Sequence, residues 1–343
     1  MLIFSGEIFP AQRPRAITIS MGGSQMKKLV VLFVCVSLVL VFSSFSLAEN
    51  WSVPDDFATI EDAINDLSVE DGDTIFVGPG EFAGTFVSKS VEIKGVDGAT
   101  INTGPMHPAG LSMGFRLLAG SDGATISHLT FTTDLSIMNG EAVNDVTVTH
   151  CTFLDSIQAI SNWSGSGWEI SHNLIRDLRT INGGGIGILV ADRAGGEVLD
   201  NVVSHNKIHG TLHVGENDGG GYDGSGIVLY ADFRWGWPGA EEISNNRVVK
   251  NKVGLVSDTP EVVNVHAFEL TDTRDDVNAD PYPVIFDNVI GFNDFRGTES
   301  QIALIPDDEP NGLQDYNDIS RNLGNNRGHG SHPSVFGPGG NKW

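Results

Sequence analysis

The sequence predicts an all-β chain wound as a single-stranded right-handed parallel β-helix, a solenoid with a capping helix at its N-terminal end. Two observations predict it. Short strand-like motifs recur at a spacing of 22 residues, and turn-forming residues punctuate the chain throughout, with 42 glycines and no helical period beyond residue 67. A period this short excludes propeller blades, and no leucine-rich consensus accompanies it.

Residues 1–25 look unlike any export signal and are set apart as an upstream extension or a mis-assigned start, with Met21 or Met26 as the alternative first residue. Within 26–48, Lys27 and Lys28 lead into an uncharged apolar run from Leu29 to Phe42. Ser46-Leu47-Ala48 then supplies the small-x-small pattern that a signal peptidase requires. At 14 residues the run is too short for a bilayer span. Cleavage after Ala48 is therefore expected to release an extracellular or periplasmic protein that does not insert into the membrane.

The solenoid domain is expected over 49–326. Ile60, Ala63, Ile64 and Leu67 follow an i, i+3, i+4, i+7 pattern, with Asp55, Asp56, Glu61 and Asp62 near its start, which predicts an amphipathic helix over 58–67. Such a helix has a physical task, because the open end of a β-helix exposes core and unpaired strand edge. Asp71-Gly72-Asp73 turns the chain into a first strand, Thr74 to Val77.

The repeats themselves align without gaps at Ser127-His128-Leu129-Thr130-Phe131, Thr149-His150-Cys151-Thr152-Phe153 and Ser171-His172-Asn173-Leu174-Ile175. Looser copies start at Ser204, Ser244 and Phe286. Stacking of successive coils at about 4.8 Å would put Ile126, Val148 and Ile170 in one inner column and Phe131, Phe153 and Ile175 in another. Asn173, Asn206, Asn246 and Asn288 are expected to stack at one turn, where Asn tolerates left-handed backbone and amides bond along the ladder. His128, His150, His172 and His205 keep the coil period, so a stacked turn position accounts for them without metal. Residues 327–343 read as a Gly-rich tail.

The formal net charge is −24. Removal of residues 1–48, which hold four Lys/Arg and one Glu, makes it −27. This surface disfavours nucleic acid and anionic membranes and suits cations. Of the two cysteines, Cys35 lies in the leader, so Cys151 has no disulfide partner and a large core must hold the fold.

Thr59-Ile60-Glu61-Asp62-Ala63-Ile64, Asp71-Gly72-Asp73-Thr74-Ile75-Phe76-Val77 and Pro79-Gly80-Glu81-Phe82, with the later Ile-Ser-x-Asn-x-Ile repeats, resemble the pectin lyase-like right-handed β-helix proteins with PbH1-type repeats. The resemblance covers roughly residues 51 to 326. It implies the fold; it does not fix an activity, because that superfamily holds lyases, hydrolases, epimerases and adhesins.

For chemistry, five strands run into aspartates: Asp192, Asp232, Asp258, Asp272 and Asp307. Stacked along one sheet edge, they would form an acidic column, although Asp258 and Asp272 lie too close in sequence to share it. Arg193, Arg234 and Arg274 follow three of them. This pattern suggests a Ca²⁺ site built from Asp192, Asp232, Asp272, Asp218 and Asp223, bridging to a polyuronate, with the three arginines as catalytic groups for β-elimination. Family lyases resemble this plan, with Arg or Lys as base. A free guanidinium is a poor base, and an Asp at a strand end is also an ordinary turn residue. Trp235, Trp237, Tyr230 and His213, on the long insertions between 209 and 239, are the expected contacts for a glycan. Asp275-Asp276 and Gly328-His329-Gly330 superficially resemble polygalacturonase motifs, but the chain lacks a convincing Asn-Thr-Asp and a following Arg-Ile-Lys. The reading is thus a secreted β-helix that binds, and as a lyase or epimerase cleaves or epimerises, an acidic polysaccharide. The alternative is a noncatalytic glycan-binding or envelope protein.

Overall fold

In the computed structural model, which describes residues 48–181, 185–215, 222–274, 278–306 and 311–328, each coil hands one strand to each of three long parallel sheets. Among the described residues the first sheet has ten strands, from Asn50–Val53 to Asp318–Ser320. The second has nine, from Phe86–Val87 to Arg327–Gly328, and the third has seven, from Gly80–Ala83 to Lys252–Ser257. A short fourth sheet joins Glu197–Leu199, Glu242–Ser244 and Ile285–Phe286. The leader, the upstream extension and the tail beyond 328 lie outside the described residues. Among those described, no helix is long and apolar enough to cross a membrane.

The inner columns follow the expected register. Val148 pairs with Ile126 on one side and Ile170 on the other, and Phe153 with Phe131 and Ile175. All six are buried, and the Phe131 and Phe153 rings stack with centroids 5.0 Å apart. Close-packed side chains thus continue the core from coil to coil where no disulfide does. Cys151 is a buried free thiol, pushed up to about 12 by burial.

The asparagines differ from the expected single column. They form two ladders, one on each side of the first sheet. In one, Asn173, Asn206, Asn251, Asn293 and Asn322 follow at separations of 33, 45, 42 and 29 residues. In the other, Asn201, Asn246, Asn288 and Asn317 follow at 45, 42 and 29. The misalignment arose because Val248 pairs with Val203, not with Ile208, whose partner is Val253. Each later coil carries two similar Asn motifs, and strand pairing alone distinguishes them.

Each ladder amide serves the backbone on both sides. Asn206 Oδ1 accepts from the Asn173 backbone N–H (3.0 Å) and side-chain amide (3.0 Å), while its own Nδ2 donates to Ile170 O (2.8 Å) and Asn251 Oδ1 (3.0 Å). The left-handed residue is not the asparagine but the one before it: His172, His205, Lys250, Phe292 and Arg321 all have positive φ. The turn pushes this residue outward and directs the Asn amide inward, where buried backbone groups need partners.

The four histidines occupy the left-handed position, as their period implied. His128, His150, His172 and His205 stack with centroids 5.1, 5.1 and 4.9 Å apart and nearly parallel rings. Burial, and the charges of His128 and His172, hold His150 below the ordinary imidazole range.

The helix is shorter than predicted, Ile60–Asn65, with the Thr59 hydroxyl accepting from the Asp62 backbone N–H at 3.0 Å. Ile60, Ala63 and Ile64 are buried in the core cluster, and the helix packs against Asn50–Val53 and Thr74–Val77. Leu67, the fourth member of the expected stripe, is 95% exposed because the chain turns extended at Asp66.

Two outcomes test this account. Asn206→Ala strips partners from the Asn173 amide and the Ile170 carbonyl and is expected to lower unfolding free energy by about 2–4 kcal/mol in urea titration. Because His150 binds its proton less readily folded than unfolded, stability is complete above about pH 6.5 and falls as pH drops through that value. Thermal melts between pH 7 and 5 should show this slope flattened in His150→Asn, which keeps the left-handed turn.

Candidate functional site

The strands of the second sheet lengthen in the later coils, at Ile186–Asp192, Gly224–Ala231, Val265–Asp272 and Ser300–Ile305. Alternation along them sends Ile227, Leu229, Phe268, Leu270, Ile302 and Leu304 into the core. The opposite face carries a second apolar cluster of Trp163, Ile186, Leu189, Ala191, Val228 and Tyr230, with Trp237 packed against it. Further along, the same face turns polar.

At the strand ends, Asp192 and Asp272 both lie level with Ala231, so Asp232 sits one residue farther out than its neighbours. Asp258 follows a strand of the third sheet instead, so of the closely spaced Asp258 and Asp272 it is Asp258 that leaves the column. Asp307 and Asp218 lie outside the described residues, as do Asp275-Asp276 and His329.

Asp192, Asp232 and Asp272 are fully buried, and their oxygens are already engaged. Each accepts the backbone N–H two residues on: Ala194 at 3.2 Å, Arg234 at 3.1 Å and Arg274 at 3.1 Å. In the last two, the guanidinium folds back onto the same carboxylate, with Nε to Oδ1 at 2.9 Å in both. Asp192 takes instead the Gly196 N–H at 2.7 Å and the Ser164 hydroxyl. This donor set does not fit Ca²⁺, which needs six to eight free oxygens facing one point. Asp223, the remaining member of that expectation, faces His266 (3.0 Å). Among the described residues no group of three His, Cys, Asp or Glu converges on a common centre.

The arginines separate by the same geometry. Burial opposes the charge on Arg234, but the Asp232 hydrogen bonds outweigh it and hold the pKa above its ordinary value. A guanidinium held this way does not serve as a base. Arg274 lies over the Phe233 ring (4.1 Å) while paired with Asp272. Arg193 directly follows its aspartate and so escapes the fold-back: its guanidinium lies 5.2 Å from the Trp163 ring centre and 4.5 Å from that of Trp237. Burial lowers its pKa against the pull of Asp232 and Asp192. A cleft of about 560 Å³ opens beside it, lined by Trp163, Ser164, Asn144, Glu141 and Glu197 among others.

The expected glycan contacts divide as well. Tyr230 is fully buried, under Arg234 (5.5 Å), so its ring has no face for a sugar. Burial, then the nearby Asp232 charge, raises its phenol well above the usual range. His213 belongs to the third sheet and pairs with Asp258 (3.2 Å). Trp237 is half-buried against Arg193. The Trp235 side chain lies outside the described atoms.

Sequence reasoning missed Trp163 and the polar patch beyond Tyr230. Ser225, His266 and Ser300 are neighbours across three strands, and Glu269 lies on the same face. Glu269 is fully buried and accepts from Ser225 and Thr271 at 2.5 Å each; burial raises its pKa despite the proximity of His266 and these hydroxyls. The available signal was His266 and Glu269 inside an otherwise apolar strand, at outward positions where earlier coils carry Ile, Leu and Val.

Residues 114–267 match the family described as right handed beta helix region. Together with the parallel sheets and their register, this match shows the right-handed parallel β-helix fold. Neither the comparison with curated proteins nor that with solved structures returns a match.

The same Asp-x-Arg hook recurs in the open at Asp294 and Arg296, where Nε to Oδ1 is 2.8 Å and the arginine is 63% exposed. The pair therefore provides an internal control. Asp232→Ala strands a buried guanidinium and is expected to cost about 3–5 kcal/mol. Asp294→Ala should cost under about 1 kcal/mol; chemical denaturation of the two variants makes the comparison.

Proposed function

We propose that this β-helix binds an acidic polysaccharide, with its recognition centre at Arg193. The observation that carries the reading is the placement of Arg193 across Trp163 and Trp237 at the mouth of the adjacent cleft. Stacking on two rings fixes the guanidinium plane, so its N–H groups meet a planar carboxylate with little further ordering. Ser164 and Asn144 supply hydrogen-bonding groups within reach of sugar hydroxyls. The cleft has the volume of a small-ligand site and suits a short stretch of a chain.

Binding is favoured over β-elimination. Elimination requires a base beside the C5 proton, and Arg234 and Arg274 are each tied to a buried carboxylate. Export through the 26–48 leader belongs to the same proposal, because a polysaccharide partner lies outside the cytoplasm.

Titration calorimetry with a polyuronate should give binding that weakens about tenfold or more in Arg193→Ala and in Trp237→Ala. Absorbance near the unsaturated-uronate band should stay flat throughout. A rising band would replace binding with lyase activity, and absence of binding to any polyuronate would end the reading.

A further inference from the structure

The polar end of the second sheet's outer face holds an ordered array that glycan binding does not use. His266 is completely buried on Val265–Asp272. Its Nδ1 faces the hydroxyl of Ser300 on the next coil, and its Nε2 lies 3.0 Å from Asp223 Oδ2 on the preceding one. We propose that Asp223, His266 and Ser300 form a hydrolytic site in which Ser300 is the nucleophile toward esters of small acyl groups.

The proton inventory is consistent. Nε2–H donates to the Asp223 carboxylate, which fixes the tautomer and leaves the Nδ1 lone pair to accept from the Ser300 O–H. The two nitrogens exchange the roles they hold in the familiar serine triad, and the relay logic is unchanged. In the reaction, Ser300 Oγ attacks the acyl carbonyl carbon while its proton passes to His266 Nδ1. Collapse of the tetrahedral intermediate breaks the bond to the alcohol oxygen, which leaves with that proton. Water then attacks the acyl-serine, gives a proton to Nδ1, and releases the carboxylic acid as Ser300 recovers its hydrogen.

Three features fit this role. Ser300 and Asp223 each retain 8% exposure while His266 has none, so the imidazole is dry and its two partners lie nearer the surface. Glu269 is engaged by the hydroxyls of Ser225 and Thr271, and the His266 Nε2 faces Asp223. Gly328 lies against this pair, and a Cβ there would overlap Ser300 Oγ and crowd the His266 ring. A glycine there leaves room for the Ser300 hydroxyl, and the slight exposure of Ser300 suits a small acyl group.

The test uses the intact folded chain. A fluorophosphonate probe is expected to modify one residue, identified by peptide mass spectrometry as Ser300, and to do so only in the folded protein. Hydrolysis of p-nitrophenyl acetate should fall on the order of 100-fold or more in Ser300→Ala and in His266→Gln. Absence of label at Ser300 in the folded wild-type chain overturns the proposal whatever the variants do, as does full ester hydrolysis by Ser300→Ala. This readout is independent of polyuronate binding, so either proposal can fail without the other.

Discussion

The fold depends on a problem that every solenoid corner poses: the backbone turns away from its ladder, and its buried amides and carbonyls lose their partners. Here the partners are asparagine side chains. An amide side chain carries the same donor and acceptor as the peptide group, so a stack of them continues the sheet's hydrogen-bond pattern through the bend. Asn173 begins this duty, Asn201 and Asn206 share it in the next coil, and Asn317 and Asn322 complete it in the last described one. Two amide ladders flanking the first sheet hold its register rigidly. The loops inserted elsewhere then vary in length without disturbing it, which is why successive ladder asparagines lie from 29 to 45 residues apart.

That rigidity decides what the sequence makes legible. Contacts that repeat with the coil were readable: the Ile126 and Phe131 columns and the histidine stack follow from a period alone. The two Asn ladders are indistinguishable by motif, because their motifs are nearly identical in residue type. Only strand pairing, Val203 with Val248, tells which of the two belongs where. Leu67 departs from the stripe for a local reason, since three matching residues of a four-residue stripe do not require that the helix reach the fourth.

The candidate site was legible in part. The Asp and Arg residues at the second sheet's end were visible as neighbours in sequence, and the chain does bring them to one edge. Their chemistry was not visible, because it turns on a single residue of spacing. At Asp-x-Arg the side chain folds back on its own carboxylate; at Asp192-Arg193 it does not, and it lies over Trp163 and Trp237 instead. Trp163 comes from the preceding coil, so no local pattern links it to Arg193. His266 and Ser300 were hidden in the same way, because their relation is a pairing between coils whose loops differ in length.

This contrast separates two ways in which a solenoid builds polar structure. Within a coil, a short motif such as Asp-x-Arg neutralises its own charge and needs nothing from its neighbours. It recurs on the exposed Asp294 turn as readily as on the buried edge. Between coils, each outward residue meets the same position of the next strand at about 4.8 Å, close enough for hydrogen bonds between side chains. Ser225, His266 and Ser300 share such a row; His266 is bonded there to Ser300 and to Asp223 from the turn before it, while Ser225 bonds Glu269. Burying an imidazole and two carboxylates on an outer sheet face is tolerable only when every partner is already in place. The register set at the asparagine corners puts them there, so the interaction that holds the solenoid together also determines which polar groups can work together on its flank.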